Sequence, residues 1–193
     1  MPLNASQNSL VLPLLGLLVE QPSHAYDLTT RLVARYGQVS ATRSTVTSLL
    51  KSLERAGLVT ARVPERSGNR PPRTAYELTE AGVADFRRRV EVGLRDSQAA
   101  SLDFVMAVAY VGILPAEQAV STLDARADRI GRELVALEGQ PDGVLEVHML
   151  EVAYWRTIVA TETTWIRQLA SRIRAHDIEW PGTQPDEPER GEA

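Results

Sequence analysis

The chain has 193 residues, no cysteine and a formal net charge of −4. This length suits one or two small domains with a real core, and the lack of cysteine excludes disulfides and thiolate metal sites. Residues 1–90 carry 12 Lys+Arg against 7 Asp+Glu, whereas residues 91–193 carry 9 against 18, so the two parts have net charges of +5 and −9. A basic part followed by an acidic part predicts two modules with different partners.

No apolar run is long enough to span a bilayer, and the apolar residues 10–19 include Pro13 and Gly16 and lack a basic lead-in. We therefore expect a cytoplasmic protein without a membrane partner. The three histidines are far apart and show no ligand spacing, and no nucleophile or phosphate-binding motif stands in a supporting context. We expect no metal, no cofactor and no catalytic residues, so the protein is predicted not to be an enzyme.

Two helices are predicted at the start of the chain. The first covers residues 10–20, and the second covers residues 24–36 with Ser23 as its cap. The apolar residues of the second helix predict its buried side, which consists of Tyr26, Leu28, Leu32 and Val33. On this interpretation Tyr26 is a core tyrosine with its hydroxyl group at the surface.

Residues 42–79 predict a third helix followed by a hairpin. Within the helix, residues 44–57, apolar side chains recur at i, i+3, i+4 and i+7 and define one buried face: Val46, Leu49, Leu50 and Leu53. The opposite face is polar, with mostly short side chains. Residues 58–63 and 74–78 predict two strands, and residues 64–73 between them are rich in turn-forming residues.

A polar helix followed by a hairpin with a basic tip is typical of a winged helix-turn-helix, which binds double-stranded DNA. Short side chains let the helix enter a major groove, and the arginines of the hairpin reach phosphates or an adjacent minor groove. The predicted DNA-binding residues of the helix are Arg43, Ser44, Thr45, Thr47, Ser48 and Lys51. Those of the wing are Arg66, Arg70 and Arg73. A small domain with merely solvated arginines fits each feature singly, but the order of the features favours DNA binding.

The rest of the chain predicts four further helices, at residues 79–98, 103–114, 115–137 and 145–175. The helix at 103–114 is apolar nearly all round, as expected of a buried helix. The next helix carries a heptad seam, whose partner is either in the same chain or in a second subunit. The residues predicted to lie at a dimer interface are Val120, Leu123, Ile130, Leu134, Tyr154, Ile158 and Trp165.

Together these elements predict a mainly α (α+β) fold with an N-terminal winged helix-turn-helix, a two-stranded wing and a helical C-terminal dimerisation domain. The predicted domains are a DNA-binding domain at residues 1–82, a helical dimerisation and effector domain at 83–178 and a disordered tail at 179–193. The predicted function is a homodimeric repressor that occupies a promoter, its two recognition helices reading half-sites one helical turn apart. The alternative is a protein-interaction module that uses the winged helix and the acidic helical domain without sequence-specific DNA binding.

The chain also resembles the PadR-type transcriptional regulators, in their longer form with a helical C-terminal domain. The matching segments are LLGLL at residues 14–18, PSHAYDL at 22–28, LLKSLERAGLV at 49–59 and YELTEAG at 76–82. The chain departs from the family at Ala25, where glycine is usual, and at Thr47-Ser48, where Tyr-Pro is usual. Because the second departure lies on the predicted recognition helix, we expect DNA contacts that differ from those of the family.

The resemblance implies dimerisation through the C-terminal helices and a contact between the Tyr26 hydroxyl group and the DNA backbone. It also implies a small aromatic or hydrophobic effector, which in some relatives is held near the dimer interface. The residues that could line such a pocket are Phe104, Met106, Tyr154, Trp155 and Trp165. The alternative, that these side chains pack the core and the interface, accounts better for aromatic residues at helical spacing.

Overall fold

The computed structural model describes residues 8–37, 41–62, 74–137 and 144–181. Within these ranges the chain is mainly helical with one small antiparallel sheet, and the predicted fold class is confirmed. The chain divides into two compact units, Met1–Tyr110 and Val111–Ala193. The predicted boundary after residue 82, which concerns function rather than packing, stays a prediction.

Three helices begin the first unit: α1 is Val11–Glu20, α2 is Ala25–Arg35 and α3 is Arg43–Arg55. Pro13 lies in the first turn of α1, where its missing N–H group costs no hydrogen bond. The buried face of α3 is the predicted one: Val46, Leu49, Leu50 and Leu53. These residues pack toward α2 and the sheet, which leaves the polar face of α3 outward.

The buried side of α2 is narrower than predicted. Leu28 and Leu32 are fully buried, but Tyr26 and Val33 have 55% and 49% of their surface exposed. At 3.6 residues per turn, Tyr26 lies on nearly the opposite side of the helix from Leu28. Ser23 does not cap α2 either, since it belongs to a short strand and the residue after it holds the cap position. The prediction of a core tyrosine at position 26 is therefore wrong.

The sheet contains β1 (Ser23–His24), β2 (Val59–Ala61) and β3 (Ala75–Leu78), in the spatial order β1-β3-β2. Strands β2 and β3 form the predicted hairpin, and both neighbours pair antiparallel with β3. Strand β1 was not predicted, because two residues carry no periodicity and form a strand only by pairing with β3. The sheet therefore ties the segment before α2 to the base of the wing.

Helix α4 (Glu80–Asp96) and helix α5 (Leu102–Ala109) complete the first unit. Thr79 starts α4, as predicted: its Oγ1 accepts a hydrogen bond from the Gly82 N–H at 3.0 Å. The same hydroxyl group donates to the Gly57 carbonyl oxygen at 2.7 Å, which ties α4 to the residues just after α3. Helix α5 ends five residues before the predicted position 114.

The second unit opens with a 3-10 turn at Val111–Ile113, followed by α6 (Ala116–Ala136). A second 3-10 turn, Glu146–Met149, leads into α7 (Leu150–Arg174), so the predicted helix from residue 145 is α-helical only from residue 150. Beyond α7, the indole N–H of Trp180 donates to the carbonyl oxygen of residue 114, at 2.8 Å. Because the end of α7 thus returns to the start of α6, the two helices run in opposite directions. Residues 182–193 of the predicted tail lie outside the described residues.

Helices α6 and α7 pack together along their length. The buried residues of α6 include Leu123, Ala127 and Ile130, so the heptad seam meets a helix of the same chain. The buried residues of α7 are Val159, Thr163, Ile166, Ala170 and Ile173. This stripe also has heptad spacing, but it does not include Tyr154, Ile158 or Trp165, the residues of α7 that were predicted to lie at a dimer interface. Tyr154 and Trp165 are left at the surface as a result.

A buried ion pair, which the sequence analysis did not identify, joins these two helices. Arg126 is fully buried, and its Nη2 lies 2.6 Å from Oε1 of Glu162, which also accepts from Nε at 3.0 Å. Burial lowers the pKa of Arg126, and the hydrogen bond to Glu162 opposes that effect. A charge inside a helix pair needs such a partner, so the pair fixes how α6 and α7 align.

Two other kinds of feature are not found in residues 8–37, 41–62, 74–137 and 144–181. None of the helices there is both long enough and apolar enough to cross a membrane. The same ranges hold no group of three or more His, Asp or Glu side chains arranged to bind a metal ion.

Candidate nucleic-acid interface

Helix α3 presents a polar stripe opposite its buried face. Ser44, Ser48, Lys51 and Arg55 are all exposed, and their 4-3-4 spacing places them along one side of the helix. The N-terminal half of the stripe consists of short hydroxyl side chains, and the C-terminal half carries two cations. A helix of this kind can approach base edges closely at one end and phosphates at the other.

Hydroxyl groups organise the first turn of α3. The Oγ1 atom of Thr42 accepts a hydrogen bond from the Thr45 N–H at 3.2 Å and lies 2.9 Å from the hydroxyl oxygens of Ser44 and Thr45. The hydroxyl group of Thr47 donates to the main-chain oxygen of Arg43 at 2.8 Å. Thr45 and Thr47 are half-buried, whereas Ser44 and Ser48 are exposed. The two serines therefore offer more of their surface to a partner than the two threonines.

Tyr26 of α2 lies beside the start of α3. The guanidinium carbon of Arg43 stands over the Tyr26 ring, 6.0 Å from the ring centroid, where the face of an aromatic ring attracts a cation. No carboxylate among the described residues forms an ion pair with Arg43. Two predicted DNA-binding residues from different helices thus form one exposed pair, the Tyr26–Arg43 group.

The two cations of the stripe differ in what they contact. Nε of Arg55 donates to the main-chain oxygen of Lys51 at 3.2 Å, and its Nη2 donates to the Ser52 hydroxyl group at 3.0 Å. The Arg55 side chain is therefore held against α3, whereas the Lys51 ammonium group has no ion pair within the described part of the chain. Arg55 was missing from the predicted site, although its i+4 spacing from Lys51 was the signal that could have identified it.

The base of the wing carries one further cation. Arg62 follows β2, and its N–H donates to the Ala75 carbonyl oxygen at 2.8 Å, which extends the pairing of the two strands. Its Nη2 lies 2.5 Å from Oε2 of Glu77, so its charge is largely balanced. The wing arginines of the predicted site, Arg66, Arg70 and Arg73, lie outside the described residues, and their role stays a prediction.

Contacts behind the polar face fix the position of α2. Glu20, at the end of α1, forms ion pairs with Arg31 and Arg35 of α2. The Tyr36 hydroxyl group, just after α2, is hydrogen-bonded to that of Tyr110 at 2.6 Å. Burial, followed by this hydrogen bond, holds the pKa of Tyr110 well above its usual range, so the Tyr110 hydroxyl group stays protonated. Since α3 packs on α2, these contacts also support the helix with the polar stripe.

The predicted dimer-interface residues fall into three groups. Leu123 and Ile130 are buried within a single chain, and Tyr154 and Trp165 are 69% and 44% exposed. The remaining three are half-buried: Val120, Leu134 and Ile158. The interface itself stays a prediction.

The residues considered for an effector pocket are not all in one unit. Phe104 and Met106 are 5% and 3% exposed and belong to the first unit, which agrees with a packing role for these two. Tyr154, Trp155 and Trp165 belong to the second unit and lie at the surface of α7.

The three-helix core, the hairpin and the polar third helix define a winged helix-turn-helix domain, a class of DNA-binding domain. Residues 14–88 match the model of the family described as "Transcriptional regulator PadR-like family". These residues form a PadR-like domain, and the resemblance inferred from the sequence motifs is confirmed. Because members of this family are transcriptional regulators, the prediction that the protein is not an enzyme is confirmed as well.

Several solved structures are similar to the chain. Bacillus subtilis PadR in complex with operator DNA is 20% identical with a TM-score of 0.43, over 86% of this chain and 99% of that one. The same regulator in complex with p-coumaric acid is 19% identical with a TM-score of 0.37, over 86% and 99% of the two chains. The Vibrio cholerae virulence activator AphA is 21% identical with a TM-score of 0.35, over 86% and 96%. No curated protein matches the chain. At these scores the neighbours carry no functional argument, so the assignment rests on residues 14–88.

Proposed function

We propose that the protein is a cytoplasmic, homodimeric DNA-binding regulator that represses transcription by occupying a promoter. The observation that carries this proposal is the polar stripe of α3 beside the Tyr26–Arg43 group. It is the solvent-facing side of the helix that a winged helix-turn-helix inserts into the major groove. The basic first part of the chain supports the proposal, because DNA attracts a surface of positive charge.

In the proposed complex, α3 lies in the major groove with its first turn toward the bases. Ser44 and Ser48 are short enough to let the helix backbone approach base edges or thymine methyl groups. Lys51 contacts a phosphate near the other end of the helix, and the wing arginines contact phosphates or a minor groove. The bound protein then represses by covering DNA that the transcription machinery needs.

A homodimer places two copies of α3 on successive turns of the same face of DNA. The apolar surface available for this association is on α7, where Leu150, Tyr154 and Trp165 are 57%, 69% and 44% exposed. The heptad seam of α6 is already covered by α7, so this second face of α7 is the better candidate for contact with another subunit. Burial of exposed aromatic side chains is a large favourable term in association.

The proposal includes release by a small aromatic or hydrophobic effector. In the first unit, α4, α5, the start of α1 and the residues before it line a groove of about 420 Å³, within the usual size of ligand sites. Leu12, Val92 and Met106 form apolar parts of its wall, and Arg89 and Asp96 are among its polar residues. A compound that binds this groove would contact the helices behind the DNA-binding surface.

The test is fluorescence anisotropy with the purified protein and DNA from upstream of its own gene, against random DNA, across a salt series. We expect sequence-specific binding whose affinity falls steeply as salt rises, through counterion release. Lys51→Ala should lower the magnitude of the salt slope by about 1, whereas Arg132→Ala, which removes an exposed charge from α6, should not change it. Replacing Arg66, Arg70 and Arg73 together with alanine should weaken binding while the dimer persists.

The competing proposal is a protein-interaction module without sequence-specific DNA binding. It predicts that upstream DNA binds no better than random DNA and that neither Lys51→Ala nor the variant without the three wing arginines changes the preference between the two. A genome-wide selection of bound fragments would separate this outcome from an operator elsewhere. If no fragment were enriched over input, the DNA-binding proposal would be refuted and the acidic second unit would become the surface to study.

A further inference from the structure

The Tyr26–Arg43 group contains the only predicted DNA-binding arginine among the described residues, and it stands at the first position of α3. An arginine side chain loses rotamer entropy when binding fixes it in one conformation, so a contact that already holds it lowers that cost. Several exposed arginines in the described part of the chain form ion pairs with carboxylates, for example Arg62 with Glu77. Arg43 instead lies over an aromatic ring, and Tyr26 keeps 55% of its surface exposed.

The chemistry of the contact determines what remains available on Arg43. A carboxylate would occupy the N–H groups of a guanidinium, whereas a ring that lies against its face leaves the N–H groups at its edge unoccupied. Two N–H groups on one edge match the O6 and N7 acceptors of guanine in the major groove. The first turn of a recognition helix is also the part that commonly contacts base edges.

We propose that Tyr26 is a positioning residue that holds Arg43 for reading a guanine in the major groove. This inference rests on the proposed DNA-binding function and assigns it a base preference. The role differs from a contact between the Tyr26 hydroxyl group and the DNA backbone, because here the ring acts and the hydroxyl group is dispensable. It also differs from a phosphate contact by Arg43, which would add affinity without base preference.

The variants that test the inference separate the ring from the hydroxyl group. Tyr26→Phe keeps the aromatic face, and Tyr26→Leu keeps bulk without it. We expect Tyr26→Phe to bind preferred DNA like the wild type and Tyr26→Leu to bind about 2- to 5-fold more weakly. Arg43→Ala should bind about 5- to 150-fold more weakly, as expected for loss of a bidentate base contact. Combined with Arg43→Ala, Tyr26→Leu should cause no further loss, because its effect acts through the arginine.

The DNA is obtained by selection from a random library with the full wild-type chain. Each guanine of the preferred site is then replaced by 7-deazaguanine, which lacks the N7 acceptor, or by inosine, which keeps both major-groove acceptors. At one guanine per half-site, 7-deazaguanine should weaken the wild type and Tyr26→Phe, weaken Tyr26→Leu less and leave Arg43→Ala unchanged. Inosine should leave all four proteins unchanged at that position. Arg87→Ala, at an exposed arginine of α4, is the matched control and should behave like the wild type.

Three results would overturn the inference. Arg43→Ala could weaken binding to every sequence equally and lower the salt slope by about 1, which would make Arg43 a phosphate contact. Tyr26→Phe could lose as much affinity as Tyr26→Leu, which would make the hydroxyl group the acting part. The effects of the Tyr26 and Arg43 variants could also add, which would make the two residues independent. Failure of the library to yield any preferred sequence would instead refute the proposed function itself. Thermal unfolding of each variant shows whether a loss of binding reflects loss of the fold.

Discussion

The sharpest stability prediction concerns Gly16, inside the buried helix α1. A Cβ atom built on this glycine would lie 2.1 Å from Cζ of Tyr110, within the body of the ring rather than at the end of a flexible chain. Gly16→Ala therefore requires the Tyr110 ring to move. That movement would disrupt the 2.6 Å hydrogen bond to Tyr36 and the edge contact with Phe86, whose ring centroid lies 5.3 Å away.

The expected cost follows from three effects. Forcing an extra methyl group into a packed core costs about 1–3 kcal/mol. Loss of the tyrosine–tyrosine hydrogen bond costs about 1 kcal/mol more. Alanine is favoured over glycine inside a helix by about 1 kcal/mol, which offsets the hydrogen bond. We therefore expect Gly16→Ala to lower the free energy of unfolding by about 1–3 kcal/mol.

Urea unfolding followed by circular dichroism measures this change, and Gly131→Ala is its matched control. Gly131 is also helical, but the nearest side-chain atom to its added Cβ is Nη2 of Arg167, at an ordinary distance of 3.8 Å. Gly131→Ala should be neutral or stabilise by up to about 1 kcal/mol. The double variant Gly16→Ala/Tyr110→Leu should lose less free energy of unfolding than the sum of the losses of the two single variants, because the ring that the added methyl group overlaps is then absent. A Gly16→Ala protein as stable as the wild type would refute the reasoning.

Three further predictions concern charges and assembly. Glu162→Ala removes the carboxylate that pairs with the buried Arg126 and should destabilise the second unit by about 3–5 kcal/mol in urea unfolding. Glu133→Ala removes one member of the exposed pair with Arg129 and should cost under about 1 kcal/mol. Burial raises the pKa of Asp85, but hydrogen bonds from two arginines outweigh it and lower the pKa below its ordinary value of 3.8. The stability that Asp85 contributes is thus present above that value and lost as the pH falls through the lowered pKa, so the advantage of the wild type over Asp85→Asn should vanish in acid. A chain ending at Tyr110 should sediment as a monomer and bind DNA more weakly, and a persisting dimer would place the interface in the first unit.

The wild-type sequence predicts the described polar face of α3 well, because there the signal is local. The buried and polar faces of α3 follow from a 3.6-residue period within one helix. The cap at Thr79 follows from the preference of a hydroxyl side chain for that position, and its hydrogen bond to the Gly82 N–H agrees. Arg55 was missed although its i+4 spacing from Lys51 places it on the polar face, and only the structure shows its hydrogen bonds back to α3.

Contacts between segments far apart in sequence were decided by the tertiary structure. Strand β1 exists only because β3 supplies its hydrogen bonds, and Tyr26 is exposed because α2 buries a narrow stripe of leucines. Apolar residues on several sides of α7 left more than one face able to pack, and the stripe through Ile166 meets α6. The partner of the buried Arg126 is 36 residues away, and no local pattern selects it. Periodicity and capping are properties of adjacent residues, so the sequence alone determined the helices and the polar face of α3. The pairing of faces and charges depends on how the whole chain minimises exposed apolar surface and unpaired charge, which only the folded structure shows.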